Sequence, residues 1–335
     1  MELVLATEVY EVIPPRLHAS RGSRPLERVV YSLMETIAAA KSPQQISAWR
    51  GWGPLIVFPV SVLILTPADW PSWVFMWLLA FVIFVGCKWL TWRRTPAPGA
   101  GWRQHAGYLI AWPGLNAQAF LGSDRLPRKD RPAAREWGSA AIKLMAGAAL
   151  FWGVAGWIPD DQIILSGWVG MVGLILMLHF GAFHLLSCAW RAAGIDARPL
   201  MIHPLASVSV SEFWGRRWNT AFRDLTHRFL FRPLNSRLGP RGAILAGFVF
   251  SGIIHDVVIS VPARGGYGWP TIFFGTQALG IFVERSRWGQ AIGLGRGWRG
   301  RLFAILILAL PAYGLFHPPF VRIIMVPFMH ALGAR

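Results

Sequence analysis

The segment Gly242–Val261 reads GAILAGFVFSGIIHDVVISV, an apolar run that is long enough to cross a lipid bilayer as a helix. It carries two adjacent ionisable residues, His255 and Asp256, close to its mid-depth. An ionisable side chain inside a membrane span is costly unless it is paired or used, so His255 is a candidate functional residue. A neutral histidine that only hydrogen-bonds between helices is the alternative interpretation.

A second unusual stretch, Phe213–Asn219 with the sequence FWGRRWN, precedes this span on a polar segment. Its spacing predicts one continuous helix from Ser211, with Ser209 or Ser211 near the N-cap and Asn219 at the flank of an aromatic stripe. An amphipathic helix on the membrane surface accounts for such a pattern, whereas an asparagine turned into a cavity would indicate function. The predicted stripe consists of Trp214, Trp218, Ala221, Phe222, Leu225 and Phe229.

The composition identifies the class of protein. The chain has 335 residues, 54% of them hydrophobic and 15% charged, and its mean hydropathy is +0.42, which indicates a polytopic membrane protein. The net charge of +17 does not predict a nucleic-acid partner, because the basic residues are spread through the loops between apolar runs. They are typical of topology signals and of contacts with anionic membrane lipids.

The apolar runs predict an all-α membrane-embedded domain over residues 51–335, with about seven or eight transmembrane helices around a tunnel. Residues 108–121 are broken by Pro113, Gly114 and Asn116, so we expect a re-entrant segment there. The tail at 319–332 is an eighth span or an interfacial helix. The other predicted spans are 54–66, 70–90, 137–157, 163–190, 242–261, 269–284 and 302–316.

The loops predict how the protein is oriented. Those near 93–103, 125–135, 191–241 and 285–301 are basic, whereas the turns at 66–69 and 158–162 are acidic. The N-terminus and the Asn219 region are therefore expected to be cytoplasmic. Residues 1–50 are mostly polar, and apolar positions between 26 and 37 predict an amphipathic helix on the membrane surface. Arginine far outnumbers lysine, which favours a bacterial cytoplasmic membrane as the location.

The candidate residues suit acyl transfer. A neutral buried histidine such as His255 can accept a proton from an alcohol that attacks an acyl carbon. The Asn219 amide could orient the acceptor or donate a hydrogen bond to the carbonyl oxygen, and Ser251 shares the face of His255. Cys87 and Cys188 lack metal-ligand spacing, so no metal site is predicted. Arginines that could hold the phosphates of CoA, or only act as topology signals, are Arg216, Arg217, Arg223, Arg228, Arg232, Arg237 and Arg241.

These motifs resemble the wax synthase-like branch of the membrane-bound O-acyltransferase superfamily. The resemblance rests on Ser209–Asn219, Arg223, Pro233 and Phe250–Asp256, and it is specific over residues 199–284. It implies an acyl-CoA-dependent O-acyltransferase with His255 as the catalytic histidine, Asn219 as its partner, and a tunnel open to donor and acceptor. The aspartate that follows His255 departs from the branch, where glutamate is more usual.

The predicted function is therefore transfer of an acyl group from CoA to the hydroxyl of a hydrophobic alcohol, without a covalent enzyme intermediate and with no cofactor besides the acyl-CoA co-substrate. Transfer of an acetyl group to a polycyclic or sugar hydroxyl is the second enzymatic reading, and a membrane transporter is the alternative outside enzymes. Besides His255 and Asn219, the predicted substrate-binding residues are Trp214, Arg216, Arg217, Trp218, Arg223 and Ser251.

Overall fold

The computed structural model describes residues 51–122 and 126–335, and all regular secondary structure in these ranges is helical. The amphipathic helix predicted between residues 26 and 37 lies outside the described residues. Five of the described helices are long and apolar enough to cross a membrane, which confirms a polytopic, all-helical membrane protein. These candidate spans are Ser72–Arg93, Arg128–Trp157, Asp160–Ala192, Thr220–Ala263 and Gly297–Leu315.

Two further apolar helices are shorter than those five. Gly53–Leu65 has 13 residues and Trp269–Arg285 has 17, so at 1.5 Å per residue neither reaches the ~30 Å of a hydrocarbon core. The predicted count of seven or eight spans includes both of them. Gly53–Leu65 nevertheless packs tightly along Ser72–Arg93, because a side chain at Gly86 would lie 2.6 Å from the Cα atom of Leu55.

The predicted interruption near residue 113 is confirmed. A helix at Trp102–Ala111 ends before the extended residue Trp112, which precedes Pro113, and a second helix at Ala117–Leu121 begins after Asn116. The side chain of Asn116 caps this second helix by accepting the backbone N–H of Ala119 at 3.0 Å. Entry and exit of the segment on the same membrane face stays a prediction.

A buried lysine holds this interruption in place. Lys88 is 2% exposed, and its Nζ donates to the carbonyl oxygen of Gly114 at 2.7 Å. The same Nζ lies 3.4 Å from the centre of the Tyr108 ring. Lys88 therefore ties the Ser72–Arg93 span to the broken segment through a carbonyl and an aromatic face.

The two middle spans each contain a π-helical turn. The first consists of Ala134–Ala148, the π turn Ala149–Val154 and Ala155–Trp157. The second consists of Ile163–Ile175, the π turn Leu176–Ala182 and Phe183–Ala192. Both predicted spans, at 137–157 and 163–190, are confirmed as helices.

The helices that carry the functional candidates form a hairpin. The His255 helix, Arg232–His255, is kinked at Gly239, where φ is 67° and a proline follows. It continues as a π turn at Asp256–Ser260 and a short helix at Val261–Ala263. After a turn, the Phe274 helix runs over Trp269–Arg285. The hairpin predicted from 242–261 and 269–284 is confirmed.

The C-terminal part packs into the bundle. Helices at Arg287–Ala291, Gly297–Ala309 and Ala312–Leu315 are followed by Pro318–Phe320, the π turn Val321–Met325 and Val326–Ala331. Within this tail Val321, Ile324 and Met329 are at most 1% exposed. The apolar tail at 319–332 is thus part of the protein core.

Candidate active site

His255 is oriented by the backbone of its own helix. Its Nδ1 lies 2.7 Å from the carbonyl oxygen of Ser251. Because a carbonyl oxygen can only accept, Nδ1 must carry the ring proton, and in the neutral imidazole Nε2 is then an unprotonated acceptor. Nε2 makes no hydrogen bond to any described residue. The geometry therefore leaves a free proton acceptor on a half-buried ring.

Ser251 contributes through its backbone. Sequence spacing predicted that its side chain lines the same cavity as His255, but the contact that orients the ring is made by the main-chain carbonyl. A carbonyl is present at every position, so residue identity contains no signal for this role.

An aromatic wall connects His255 to the FWGRRWN stretch. The ring of Phe274 lies 4.5 Å from the imidazole, and the ring of Trp214 lies 5.7 Å from Phe274. Trp214 also packs 5.8 Å from Phe248, and its Nε1 donates to Oε1 of Gln277 at 3.3 Å. The structure thus joins the two unusual stretches of the sequence through side chains in contact.

The polypeptide around Asn219 differs from the predicted continuous helix, and that prediction is wrong. A helical turn at Val210–Glu212 passes into a π turn at Phe213–Arg217 and stops at Trp218, which is extended. Asn219 then adopts left-handed backbone angles, with φ 43° and ψ 62°, and a new helix begins at Thr220. Asparagine is one of the few residues that tolerate this conformation, so it can reset the chain between two helices.

The side chain of Asn219 has one structural contact and one unused group. Its Oδ1 accepts the backbone N–H of Phe222 at 3.5 Å as a loose N-cap. Its Nδ2 donates to no described residue. The amide N–H groups therefore remain available for a substrate.

Of the predicted donor-binding arginines next to Asn219, two are engaged with neighbouring protein groups. The Nε of Arg217 donates to Oε1 of Glu212 at 2.8 Å, and the Nε of Arg223 donates to Oδ1 of Asp224 at 2.7 Å. Arg223 also reaches the carbonyl of Gly215 at 3.1 Å. Both guanidinium groups therefore fasten this loop, whereas Arg216 is exposed and acts on Glu212 only through its charge, without a direct salt bridge to a described residue.

Trp218, the remaining predicted binding residue, stacks on Phe213 with ring centres 5.3 Å apart. The neighbouring Glu212 carboxyl is held ionised by its protein contacts. Burial raises the pKa of this carboxyl, but the N–H of Val208 and the guanidinium of Arg217 outweigh burial and hold the pKa below its usual value.

Glu284 was missed by the sequence reasoning. It is 4% exposed at the end of the Phe274 helix, and its two carboxylate oxygens accept the backbone N–H groups of Val210 and Ser211 at 2.8 and 2.9 Å. Ser209 caps the same helix start by accepting the N–H of Glu212 at 2.9 Å, as predicted. The only sign of this role in the sequence was the position of Glu284, an acidic residue at the end of an apolar run.

A serine, a histidine and an aspartate also meet beside this site. Ser260 Oγ lies 3.0 Å from Asp256 Oδ1 and 3.2 Å from His317 Nε2. The Nδ1 of His317 accepts the backbone N–H of Phe320 at 3.1 Å, so the carboxylate binds the serine and not the histidine. Because the aspartate binds the serine and does not orient the histidine, this group cannot activate Ser260 as a nucleophile.

One group of side chains resembles a metal site in composition. Ligand atoms of Glu136, His184 and Cys188 lie within 4.8 Å of one another. The guanidinium of Arg191 donates to Glu136 and lies 3.6 Å from the Cys188 sulfur. A cation therefore already neutralises these ligands, and the group acts as an ion-paired tie between two spans.

The comparison with known families concerns this region. Residues 197–276 match the model of the membrane bound O-acyl transferase family. The resemblance to that family is confirmed. The membrane-bound O-acyltransferase match includes Trp214, Asn219 and His255 and ends just beyond Phe274, so it covers both sides of the aromatic wall.

Relatives of known name are similar over the same part of the chain. A long-chain-alcohol O-fatty-acyltransferase of Simmondsia chinensis is 32% identical over 100 residues, which are 27% of this chain and 28% of the relative. A probable long-chain-alcohol O-fatty-acyltransferase 9 of Arabidopsis thaliana is 28% identical over 147 residues, 39% of this chain and 42% of the relative. An acyl-CoA–sterol O-acyltransferase 1 of Arabidopsis thaliana is 32% identical over 87 residues, 24% and 25% of the two chains. The chain therefore spans less than half the length of each of these relatives.

Proposed function

We propose that this protein is an acyl-CoA:alcohol O-acyltransferase in which Nε2 of His255 is the general base. The observation that carries the proposal is the 2.7 Å contact from Nδ1 to the Ser251 carbonyl, which leaves Nε2 as an acceptor without a partner among the described residues. The ring lies in the segment that matches the acyltransferase family. General-base catalysis of this kind contributes about 10² to 10⁴ in rate.

The proposed reaction is one direct displacement. As the alcohol oxygen attacks the thioester carbon, its proton passes to Nε2 of His255, and the C–O bond forms while the carbonyl oxygen becomes negative. The tetrahedral species then collapses, the C–S bond breaks, and the imidazolium returns its proton to the sulfur of CoA. The enzyme ends neutral and unmodified. The unused Nδ2 of Asn219 is suited to donate a hydrogen bond to the developing oxyanion.

The substrates that fit best are a long-chain acyl-CoA and a long-chain alcohol. Two of the relatives carry the name of a long-chain-alcohol fatty-acyltransferase, and the walls next to His255 are the aromatic rings of Phe274, Trp214 and Phe248. Arg216, which is exposed two residues after Trp214, supports binding of the donor phosphates. The sterol-acylating relative supports a polycyclic acceptor as the second candidate.

The setting of the reaction forms part of the same proposal. Residues 51–335 act as a single membrane-embedded acyltransferase domain with about seven or eight spans around a tunnel. The basic loops, including the one before Phe213, face the cytoplasm in a bacterial membrane, where acyl-CoA is available.

An assay with purified protein and labelled palmitoyl-CoA tests this proposal. The acceptors offered are hexadecanol, decanol, a sterol and a sugar. We expect ester from hexadecanol in the wild type and none above background in His255→Gln. His105→Gln is the matched control, because Nδ1 of His105 is also hydrogen-bonded to the protein, here as the acceptor of the Trp92 Nε1–H at 2.9 Å, but His105 lies outside the site. Absence of ester with every acceptor would contradict long-chain acyl transfer and leave acetyl transfer and a transporter as the alternatives.

A further inference from the structure

The carboxylate next to the proposed base is fully engaged with protein donors. Oδ1 of Asp256 accepts the backbone N–H of Gly268 at 2.8 Å and the hydroxyl of Ser260 at 3.0 Å. Oδ2 accepts the backbone N–H of Thr271 at 3.1 Å and also the Thr271 hydroxyl. Asp256 makes no salt bridge with a described cation. Hydrogen bonds, and not a paired Lys or Arg among the described residues, therefore hold its charge.

These donors form the beginning of the Phe274 helix. Gly268 is the N-cap of that helix and Thr271 is its third residue, so their N–H groups have no partner within the helix. In a capping box, the side chains of these two positions satisfy each other's N–H groups. Gly268 has no side chain, and Asp256 from the preceding helix supplies the acceptors in its place. The positive end of the helix dipole adds to the stabilisation of the carboxylate.

The same threonine lies at a close approach of the two helices. A Cβ atom at Gly252 would lie 2.6 Å from the Cα of Thr271, so only glycine permits this distance. Gly252 lies one turn before His255, and Phe274, whose ring lies 4.5 Å from the imidazole, lies one turn after Thr271. A shift at Thr271 would therefore move the aromatic wall relative to the imidazole.

Two buried polar residues hold the carboxylate from its other side. Because Nδ1 of His317 accepts the N–H of Phe320, its Nε2 carries the proton and donates to Ser260 Oγ, 3.2 Å away. The Ser260 hydroxyl can then donate to Asp256. Ser260 and His317 are 0% and 2% exposed, so water does not compete for these hydrogen bonds.

We infer that Asp256 is a positioning residue for His255: its carboxylate fastens the start of the Phe274 helix to the His255 helix, and Ser260 with His317 holds the carboxylate in place. The inference rests on the proposed function of His255, since the position of the ring matters only if its Nε2 takes part in the reaction. Asp256 itself touches neither substrate in this account.

The test compares turnover in Asp256→Asn, Asp256→Glu and the control Glu136→Gln. Glu136→Gln makes the same chemical change at a carboxylate that bridges two other spans. Asp256→Asn is expected to lower kcat by about 10-fold or more with both KM values within about twofold, because small displacements of a catalytic group cost up to about 10² in rate. Asp256→Glu keeps the charge and is expected to recover part of the lost kcat. Glu136→Gln should lower thermal stability and leave kcat within about twofold.

A second readout does not depend on acyl transfer. Carbethoxylation of His255 by diethylpyrocarbonate, followed by peptide mass spectrometry, is expected to be at least about threefold faster in Asp256→Asn, because the ring loses its fixed packing against Phe274. Labelling of the exposed His203 should not change, nor should labelling of His255 in Glu136→Gln. The inference would be overturned if His255 were labelled at the wild-type rate in Asp256→Asn. It would also be overturned if Asp256→Asn had the wild-type kcat in an assay in which the wild-type enzyme forms ester. Absence of ester from wild-type enzyme would instead count against the proposed function.

Discussion

Each end of the Phe274 helix is held by a carboxylate that accepts backbone N–H groups, but the two ends contact different parts of the candidate site. At its start, Asp256 accepts the N–H groups of Gly268 and Thr271. At its end, Glu284 accepts the N–H groups of Val210 and Ser211, just before the FWGRRWN stretch. One helix is thus connected by carboxylates both to the His255 helix and to the loop of Asn219.

The two regions use their polar side chains differently. Beside His255, the backbone and Asp256 provide the structural contacts, and Nε2 of the ring stays unused. In the FWGRRWN region, Arg217 and Arg223 are themselves structural contacts, and the Nδ2 of Asn219 is the unused group. The proposed function places the chemistry in these two atoms, whereas Arg217 and Arg223 stabilise the shape of the loop.

Asn219→Asp gives the largest effect that separates these two roles. Aspartate keeps an acceptor for the N–H of Phe222 and tolerates left-handed backbone angles, but it lacks the amide donor. Loss of one oxyanion donor costs about 10² to 10³ in kcat, so we expect a fall in kcat of at least that lower figure with little change in thermal stability.

Asn219→Gly is the matched variant, because glycine also allows a positive φ and removes both the cap and the donor. It should lose as much turnover as Asn219→Asp. If Asn219→Asp keeps full turnover while Asn219→Gly unfolds at lower temperature, Asn219 is a helix cap and nothing more.

Gly252→Ala is expected to have an intermediate effect on the His255 side. The added methyl group would meet the backbone of Thr271 at 2.6 Å and push the Phe274 helix away from the imidazole. Overpacking of this kind costs about 1–3 kcal/mol in the free energy of unfolding, and we expect kcat to fall about tenfold as well. Denaturation in detergent and steady-state kinetics measure the two effects.

Gly247→Ala on the same helix is its control. No atom lies within 4 Å of a Cβ at Gly247, so this change should be neutral or slightly stabilising. Equal losses of kcat in the two variants would show that the approach at Thr271 does not position the ring.

Glu284→Gln has the smallest expected effect, on the FWGRRWN side. Glutamine retains one acceptor oxygen, so one of the N–H groups of Val210 and Ser211 loses its partner, at a cost of about 1–3 kcal/mol. Because the loop with Arg216 loosens while His255 keeps its contacts, we expect the KM for acyl-CoA to rise about two- to fivefold with kcat nearly unchanged. A fall in kcat at constant KM would contradict the division of roles between the two ends.

Sequence reasoning predicted the helices of the protein better than the shape of the candidate site. His255 stands out because an ionisable residue in an apolar span is rare, and Pro113 with Gly114 marks the broken segment correctly. The helix break at Asn219 was not predicted, because the aromatic spacing continues across it. Asparagine also tolerates left-handed backbone angles without requiring them, so its presence does not predict a break. The family resemblance supplied the reaction, which residue spacing by itself left open.

Contacts between distant residues account for the rest of what was missed. Glu284 binds Val210 across 74 positions, and Asp256 binds Thr271 across 15, so neither partner is visible in a local pattern. The ion pairs of Arg217 and Arg223 are local, with Glu212 five positions and Asp224 one position away, but they were missed as well, since a basic residue near a predicted CoA site fits ligand binding and loop stabilisation equally well. Tertiary packing decides which of the possible contacts each of these side chains makes.

The most direct measurement of the central claim is chemical rescue of His255→Ala with added imidazole. In purified protein with palmitoyl-CoA and hexadecanol, the account predicts that His255→Ala loses about 10² to 10⁴ in kcat and that imidazole restores part of it in a concentration-dependent way. A general base that has been removed can be replaced by a small base of the same chemistry, whereas a purely structural histidine cannot. Wild-type turnover in His255→Ala would contradict the account.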